Sequence, residues 1–294
     1  MQRVLLWLAM AWLWIGQSGA TGSLEFVARV TPTAGRAEPV RGLTFYLLTK
    51  SFSDIQKQAQ EATKPPSRDE FLDRLQVSPQ LKAWMKRTGR LSLNGPELVQ
   101  RLTASDILEV PEFLDAYLAR NAGDLTINFP KPKHREQDRE ANPQKYDRQR
   151  KEYLDKIRRV VETYPHTKEG LDVYLASVDP GQRWLQEQAE YRRHVRRQTL
   201  ELAQTRYRIG EAETNLEGRG EFRNVPAGIH WLATLEGEAT AGDVRLRWDL
   251  PVEIRAGETV RVELTNFNAV LPERSRPSRT LEDPAPRAAS REAR

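Results

Sequence analysis

The sequence predicts an α+β chain in which a small antiparallel β-sandwich is interrupted by an all-helical insertion. Three observations predict it. Strand-like stretches occupy both ends of the chain and are missing from its middle. The middle carries capping residues, prolines at helix starts and apolar residues three and four positions apart. The segment Gly218–Gly228 reads as a sandwich hairpin, and its partner strand is expected not just upstream but near Leu43–Leu48, beyond the helical region.

The elements follow in order. Arg3, the apolar run Val4–Ile15 and the small residues Ser18, Gly19 and Ala20 form the pattern of a secretory signal peptide cleaved after Ala20. The run falls short of the roughly 20 residues that span a bilayer. No later segment is long and apolar enough to span, so no transmembrane segment is expected after cleavage. Leu24–Thr31 favours strand, Pro32–Pro39 is a turn region, and Leu43–Leu48 is a strong strand.

Helix signals then take over. Ser53 with Gln56, and Ser67 with Glu70, have capping-box spacing. Pro79, Pro96 and Pro111 stand where a first helical turn tolerates proline, and Gly89 and Gly123 are stops. Asn128–Asn142 is polar and reads as an exposed linker. A longer helix follows Asn142, with Tyr146, Tyr153, Leu154, Ile157, Val160, Val161 and Tyr164 in one apolar stripe that Pro165 ends. A shorter helix is expected over Glu169–Ser177. Another long one opens at Asp179 and Pro180, with Trp184, Tyr191, Val195 and Leu202 along one side.

Strand signals return as Glu211–Leu216, Gly220–Arg223, Ile229–Leu235, Val244–Ile254 and Thr259–Phe267. The tail after Pro272 has few apolar residues and is expected to be disordered. The organisation is therefore a signal peptide at 1–20, a split sandwich at 21–50 and 209–271, a helical insertion at 51–208 and a tail at 272–294.

The two β pieces together resemble the carboxypeptidase regulatory-like domain, a transthyretin-like β-sandwich of exported bacterial proteins. Glu38–Gly42 matches the family's turn into its second strand. Thr214, Gly220 with Phe222, and Val225–Gly228 match its threonine, its Gly-x-Phe strand and its Val-Pro-x-Gly turn. Gly257–Thr259 matches the turn into its last strand. The chain departs from the family in its long insertion and in His230, where the family has an aromatic residue. The resemblance implies an accessory module and carries no catalytic residue with it.

Alternation separates the strand faces. Leu246, Trp248, Leu250, Val252 and Ile254 share one side of their strand, opposite Arg245, Arg247, Asp249 and Glu253. Leu43–Leu48 and Ile229–Leu235 are apolar on both faces and need cover on both. The expectation is a seam over Tyr46, Leu48, Ile229 and Trp231, covered by the helical insertion, with an exposed partner-binding patch as the alternative.

Chemistry is sparse. With 0 cysteines, disulfides, thiolate metal sites and a cysteine nucleophile are excluded, and a bacterial periplasm or exterior is favoured. The net charge of +5 permits anionic partners without demanding nucleic acid, and export argues against nucleic acid. His166 and Glu169 have His-x-x-Glu spacing but no third ligand in view, and they suit a helix start better than a metal. Arg192, Arg193, Arg196 and Arg197 form a basic strip at helical spacing, to which Arg158 and Arg159 add if the two long helices are neighbours. Glu187, Glu190 and Glu201 are the acids that could balance it as a solvated face. No phosphate loop or nucleophile elbow is present.

The expectation is an exported, non-catalytic accessory or interaction protein without cofactor or metal. Its insertion would meet a protein or an anionic envelope component. A hydrolase with a carboxylate- or histidine-based site between insertion and sandwich is the alternative, and envelope glycan binding is a third.

Overall fold

The computed structural model describes residues 20–123 and 127–270. The expected signal peptide and the expected disordered tail lie outside the described residues, except for Ala20. In chain order the elements are β1 (Thr21–Val30), β2 (Glu38–Pro39), β3 (Thr44–Leu48), α1 (Phe52–Ala62), α2 (Arg68–Asp73), α3 (Pro79–Thr88), α4 (Pro96–Arg101), α5 (Ala104–Glu109), α6 (Pro111–Asn121), α7 (Asp138–Ala141), α8 (Pro143–Thr163), a 3-10 turn (Pro165–Lys168), α9 (Leu171–Leu175), α10 (Gly181–Thr205), β4 (Arg208–Glu213), β5 (Arg219–Pro226), β6 (Gly228–Ala233), β7 (Ala239–Ala241), β8 (Val244–Leu246), β9 (Asp249–Ile254) and β10 (Thr259–Leu264). The fold class is α+β.

The described chain divides into two compact units. One runs up to Thr63 and resumes at Val195; the other is Lys64–His194. Helix α1 and the end of α10 therefore belong with the strands, although their sequence reads as part of the insertion.

The first unit is a β-sandwich. One sheet has the order β10-β1-β2, with β5 pairing the other edge of β1; the second has the order β4-β3-β6-β9. β1 runs parallel to β10, with Leu24 opposite Val260, and antiparallel to β5, with Leu24 opposite Phe222. β3 is flanked by β4 and β6, with Tyr46 facing Glu211 on one side and Ala233 on the other. The Gly218–Gly228 segment is thus not a hairpin of one sheet. β5 lies in the first sheet and β6 in the second, and Gly228, at φ 140°, lets the chain turn between them. Of the two strands that the segment joins, it is β6, entered at Gly228, that pairs β3.

The inner faces make the core. Leu24, Phe26 and Ala28 of β1 meet Phe45 and Leu47 of β3, Leu232 of β6 and Val252 and Ile254 of β9. Phe26 packs on Phe45 at 4.8 Å between ring centroids, and Phe45 on Trp248 at 5.8 Å. The alternation read over Val244–Ile254 points inward as expected, although the stretch breaks into β8 and β9. Gly220 sits in β5 because a Cβ there would lie 2.3 Å from the Phe26 ring.

A second layer covers the outer face of β3 and β6. Leu48, Ala233 and Leu235 pack with Ile55 of α1 and Ala203 of α10, and Tyr46, Trp231, Phe52 and Tyr207 border them. Helix α1 is aimed by two carboxylate bonds: the Phe52 and Ser53 N–H groups each donate to Asp249 at 3.0 Å. Its cap is Ser51, which accepts from the Asp54 N–H, and not Ser53 as the spacing predicts. With Asp249 holding the Ser53 N–H, Ser53 lies inside the first turn.

The second unit is helical around its own core. Phe71, Leu81, Trp84, Met85, Leu98, Ile107, Phe113, Tyr117, Ile157, Val161, Leu171 and Trp184 are its buried centre. Trp84 and Phe113 meet edge to face at 4.9 Å. The local causes are visible in the caps. Ser78 caps α3 ahead of Pro79, and Gly89 ends it in the left-handed region at φ 76°. Asn142 caps α8 through the Lys145 N–H. Thr103 and Asp106 form a full capping box on α5. The helix expected over Glu169–Ser177 is present as the shorter α9, preceded by the 3-10 turn.

Candidate functional site

The arginines singled out by the sequence are all exposed. Arg158 and Arg159 lie on α8, and Arg192, Arg193, Arg196 and Arg197 on α10. α8 packs chiefly on α5, α7 and the 3-10 turn. Arg196 is engaged within the sandwich unit by Glu236, which pushes its pKa up. The other five have no ion-pair partner among the described residues. Two of the three acids that could balance them are engaged elsewhere. Glu187 takes Arg74 at 2.5 Å, and Glu190 accepts from the Gln186 amide at 3.2 Å.

Of the seam residues, Leu48 is fully buried, and Tyr46 and Trp231 border the same layer. Ile229 is 61% exposed. The pairing of β3 with β6 stops at Trp231, and Ile229 lies beyond it, opposite Glu253 of the edge strand β9, outside the covered stretch.

His166 is exposed on the 3-10 turn, and Glu169 ends that turn with its N–H on the His166 carbonyl at 3.0 Å. The motif's central Thr167 is buried instead. Its hydroxyl donates to the Tyr164 carbonyl at 2.7 Å and meets the Tyr117 hydroxyl at 2.7 Å. Among the described residues no three His, Cys, Asp or Glu side chains are gathered as a metal site would need.

The helical unit also holds a cleft that sequence reasoning missed. About 440 Å³ in volume, it lies between the end of α3 and the start of α5. Its cationic lining is Arg87, Arg90 and Arg101; Thr103, Ser105 and Thr88 add hydroxyls; Asp106 and Glu109 are the acids, and Trp84 forms part of the wall. Asp106 is largely consumed by local bonds. It accepts from Arg87 at 2.6 Å, from the Thr103 N–H at 3.0 Å and from the Thr103 hydroxyl at 2.7 Å. Arg90 faces Glu97 at 3.6 Å.

Arg87 and Arg101 stand in the last turns of α3 and α4, where cations answer the carbonyl end of the helix dipole. That role is all the sequence shows of them. Their meeting depends on how the connection from Gly89 to Gly95 folds back, which no periodicity encodes.

No family model matches the chain, and no curated protein matches it. Among solved structures it is similar to a candidate carbohydrate binding protein of Pseudomonas aeruginosa, at 12% identity and a TM-score of 0.25, over 85% of this chain and 90% of that one. It is also similar to the pilus backbone protein RrgB of Streptococcus pneumoniae, at 13% identity and a TM-score of 0.23, over 83% of this chain and 40% of that one. At such scores neither likeness carries an argument about fold or function.

Proposed function

We propose that the chain is an exported, non-catalytic interaction protein. A carboxypeptidase regulatory-like sandwich is the scaffold, and the helical unit is the surface that meets an acidic protein or an anionic envelope component. The observation that carries this reading is the set Arg158, Arg159, Arg192 and Arg193: exposed, on the helical unit, and without an ion-pair partner among the described residues. Unpaired guanidiniums keep their full capacity for bidentate recognition of carboxylate or phosphate. Export is supported by the pattern at Met1–Ala20, and the described residues contain no helix long and apolar enough to cross a membrane. The family reading is supported by where its motifs fall. Thr214 is buried and accepts from the Leu43 N–H at 3.0 Å, tying β3 to the chain that returns from the insertion. Gly220 and Phe222 lie on β5 against Phe26.

The test is retention of the mature protein on immobilised lipopolysaccharide and on polygalacturonate, followed across a salt series. Reversal of Arg158, Arg159, Arg192 and Arg193 to glutamate is expected to weaken retention at least about tenfold at low salt, with the wild-type signal itself fading as salt rises. Equal retention of wild type and variant, or the absence of any retention, would sink the reading.

A further inference from the structure

We propose that the outer face of the β10-β1-β5 sheet binds a second copy of this chain about a two-fold axis along β1. The surface belongs to the sandwich unit and involves none of the arginines on the helical unit. Leu24 and Phe26 of β1, Phe222 of β5 and Leu264 of β10 point to the core, so the residues between them face outward. Helix α1 and the end of α10 cover the other sheet, at β3 and β6. The register sets the outward side chains in two rows. In one, Glu25 lies between Glu221 of β5 and Arg261 of β10; in the next, Val27 lies between Arg219 and Glu263. Together they line an open trough of about 800 Å³, with Val27 half-buried.

The pairing of these charges is incomplete. Glu25 takes Arg261 at 3.0 Å, and Glu221 takes Arg223, two residues along its own strand, at 2.6 Å. Arg219 and Glu263 are exposed, and neither side chain has an ion-pair partner among the described residues. They flank Val27 on strands roughly 10 Å apart, two strand spacings. A two-fold rotation about an axis along β1 exchanges the β5 and β10 flanks. Arg219 of one protomer then faces Glu263 of its partner, and symmetry makes the contact twice. The other row obeys the same rule, with Glu221 opposite Arg261, again twice. Val27 meets its own image on the axis, an apolar contact inside the charged frame. Glu25 also meets its image, and the Arg261 held by each copy neutralises that encounter. A face whose signs invert under the rotation selects its own image over a ligand of one charge. The contact is only three strands wide, the scale of a transient interface, so the dimer is weak and salt-sensitive.

The experiment is sedimentation velocity on the full mature protein from about 10 µM to about 1 mM, the range in which a weak interface populates a dimer. Wild type is expected to pass from monomer to dimer across that range at low salt, and to lose the dimer at high salt. Arg219→Glu and Glu263→Arg each turn two attractions into two repulsions. Each variant alone is expected to weaken the dimer at least about tenfold. Mixed in equal amounts, the two variants are expected to regain wild-type association, since each supplies the charge that the other lacks. Both positions are exposed, so the variants should keep their fold, which circular dichroism and the monomer's sedimentation coefficient report. Wild type that stays monomeric at the highest concentration, single variants that associate as wild type does, or a mixture that does not recover would overturn the inference. Retention on polyanions through Arg158, Arg159, Arg192 and Arg193 is measured separately and stands or falls by itself.

Discussion

Tyr117 is fully buried among the helices, yet its hydroxyl is paired. Thr167 gives its one proton to the Tyr164 carbonyl, so Tyr117 must be the donor in the bond between the two hydroxyls. Asn121 closes the group, donating to the Tyr117 carbonyl at 2.8 Å and to the Thr167 carbonyl at 3.2 Å. Burial raises the Tyr117 pKa above its ordinary 10.0, against smaller opposing effects of Thr167 and Arg120. A raised folded value means that the stabilisation is complete below pH 10 and is lost as pH rises toward the folded pKa. Tyr117→Phe should therefore cost about 1 kcal/mol at pH 8, the worth of a hydrogen bond, and should flatten the fall of stability above pH 10. Urea melts of both proteins at pH 8 and pH 10.5 check this. An unchanged alkaline slope would mean that Tyr117 does not titrate as argued. The sequence did single out the Thr167 neighbourhood, as a helix start; it could not show Tyr117, since 50 residues separate the two hydroxyls.

At the scale of elements, local rules and long-range partners divide the work. Strand faces were legible because the period of two is imposed by the backbone itself: Leu246, Trp248, Val252 and Ile254 all reach the core. The cap of α1 was not legible. Two serines, Ser51 and Ser53, compete for the position, and Asp249, nearly two hundred residues along the chain, decides between them. The capping box of Thr103 and Asp106 was overlooked because aspartate replaces the usual glutamate. The cleft escaped for the same kind of reason, since Arg87 and Arg101 look like ordinary helix ends until α3, α4 and α5 are placed together. Asp249→Ala should cost about 2 kcal/mol, by stripping two amide donors of a charged acceptor. The loss should concentrate in α1: hydrogen exchange of Ile55 and Ala59 is expected to quicken while exchange in β1 is little changed. Uniform acceleration across the sandwich would contradict an anchoring role confined to α1.

For the molecule as a whole, the legible part was its plan, a sandwich entered, left and re-entered. The line of division was harder to read, because α1 and the end of α10 are helical in pattern but pack on the sheet. Thr63 donates to Gln198 at 2.8 Å, so the two strands of chain that leave and re-enter the sandwich unit run side by side. Such neighbouring ends are what a tolerated insertion requires. Joining Thr63 to Val195 through a short Gly/Ser linker should therefore give a protein that folds, with a β-rich circular dichroism spectrum and one cooperative unfolding transition. A molten or aggregated product would show that the sandwich depends on the helical unit for its stability.

The pairing of β3 with β4 has a consequence for the order of events in time. The first three strands leave the ribosome well before β4, β6 or β10 exist, and β3 needs β4 and β6 on its two flanks. Until they arrive, β1 and β3 are sticky edges with nowhere to go. If Lys64–His194 folds first and holds its ends together, the loop to be closed between β3 and β4 shrinks from about 160 residues to about 30, which lowers the closure entropy by about 1.5 kcal/mol. On that account the helices act as a clamp during biosynthesis, bringing the late strands to the early ones.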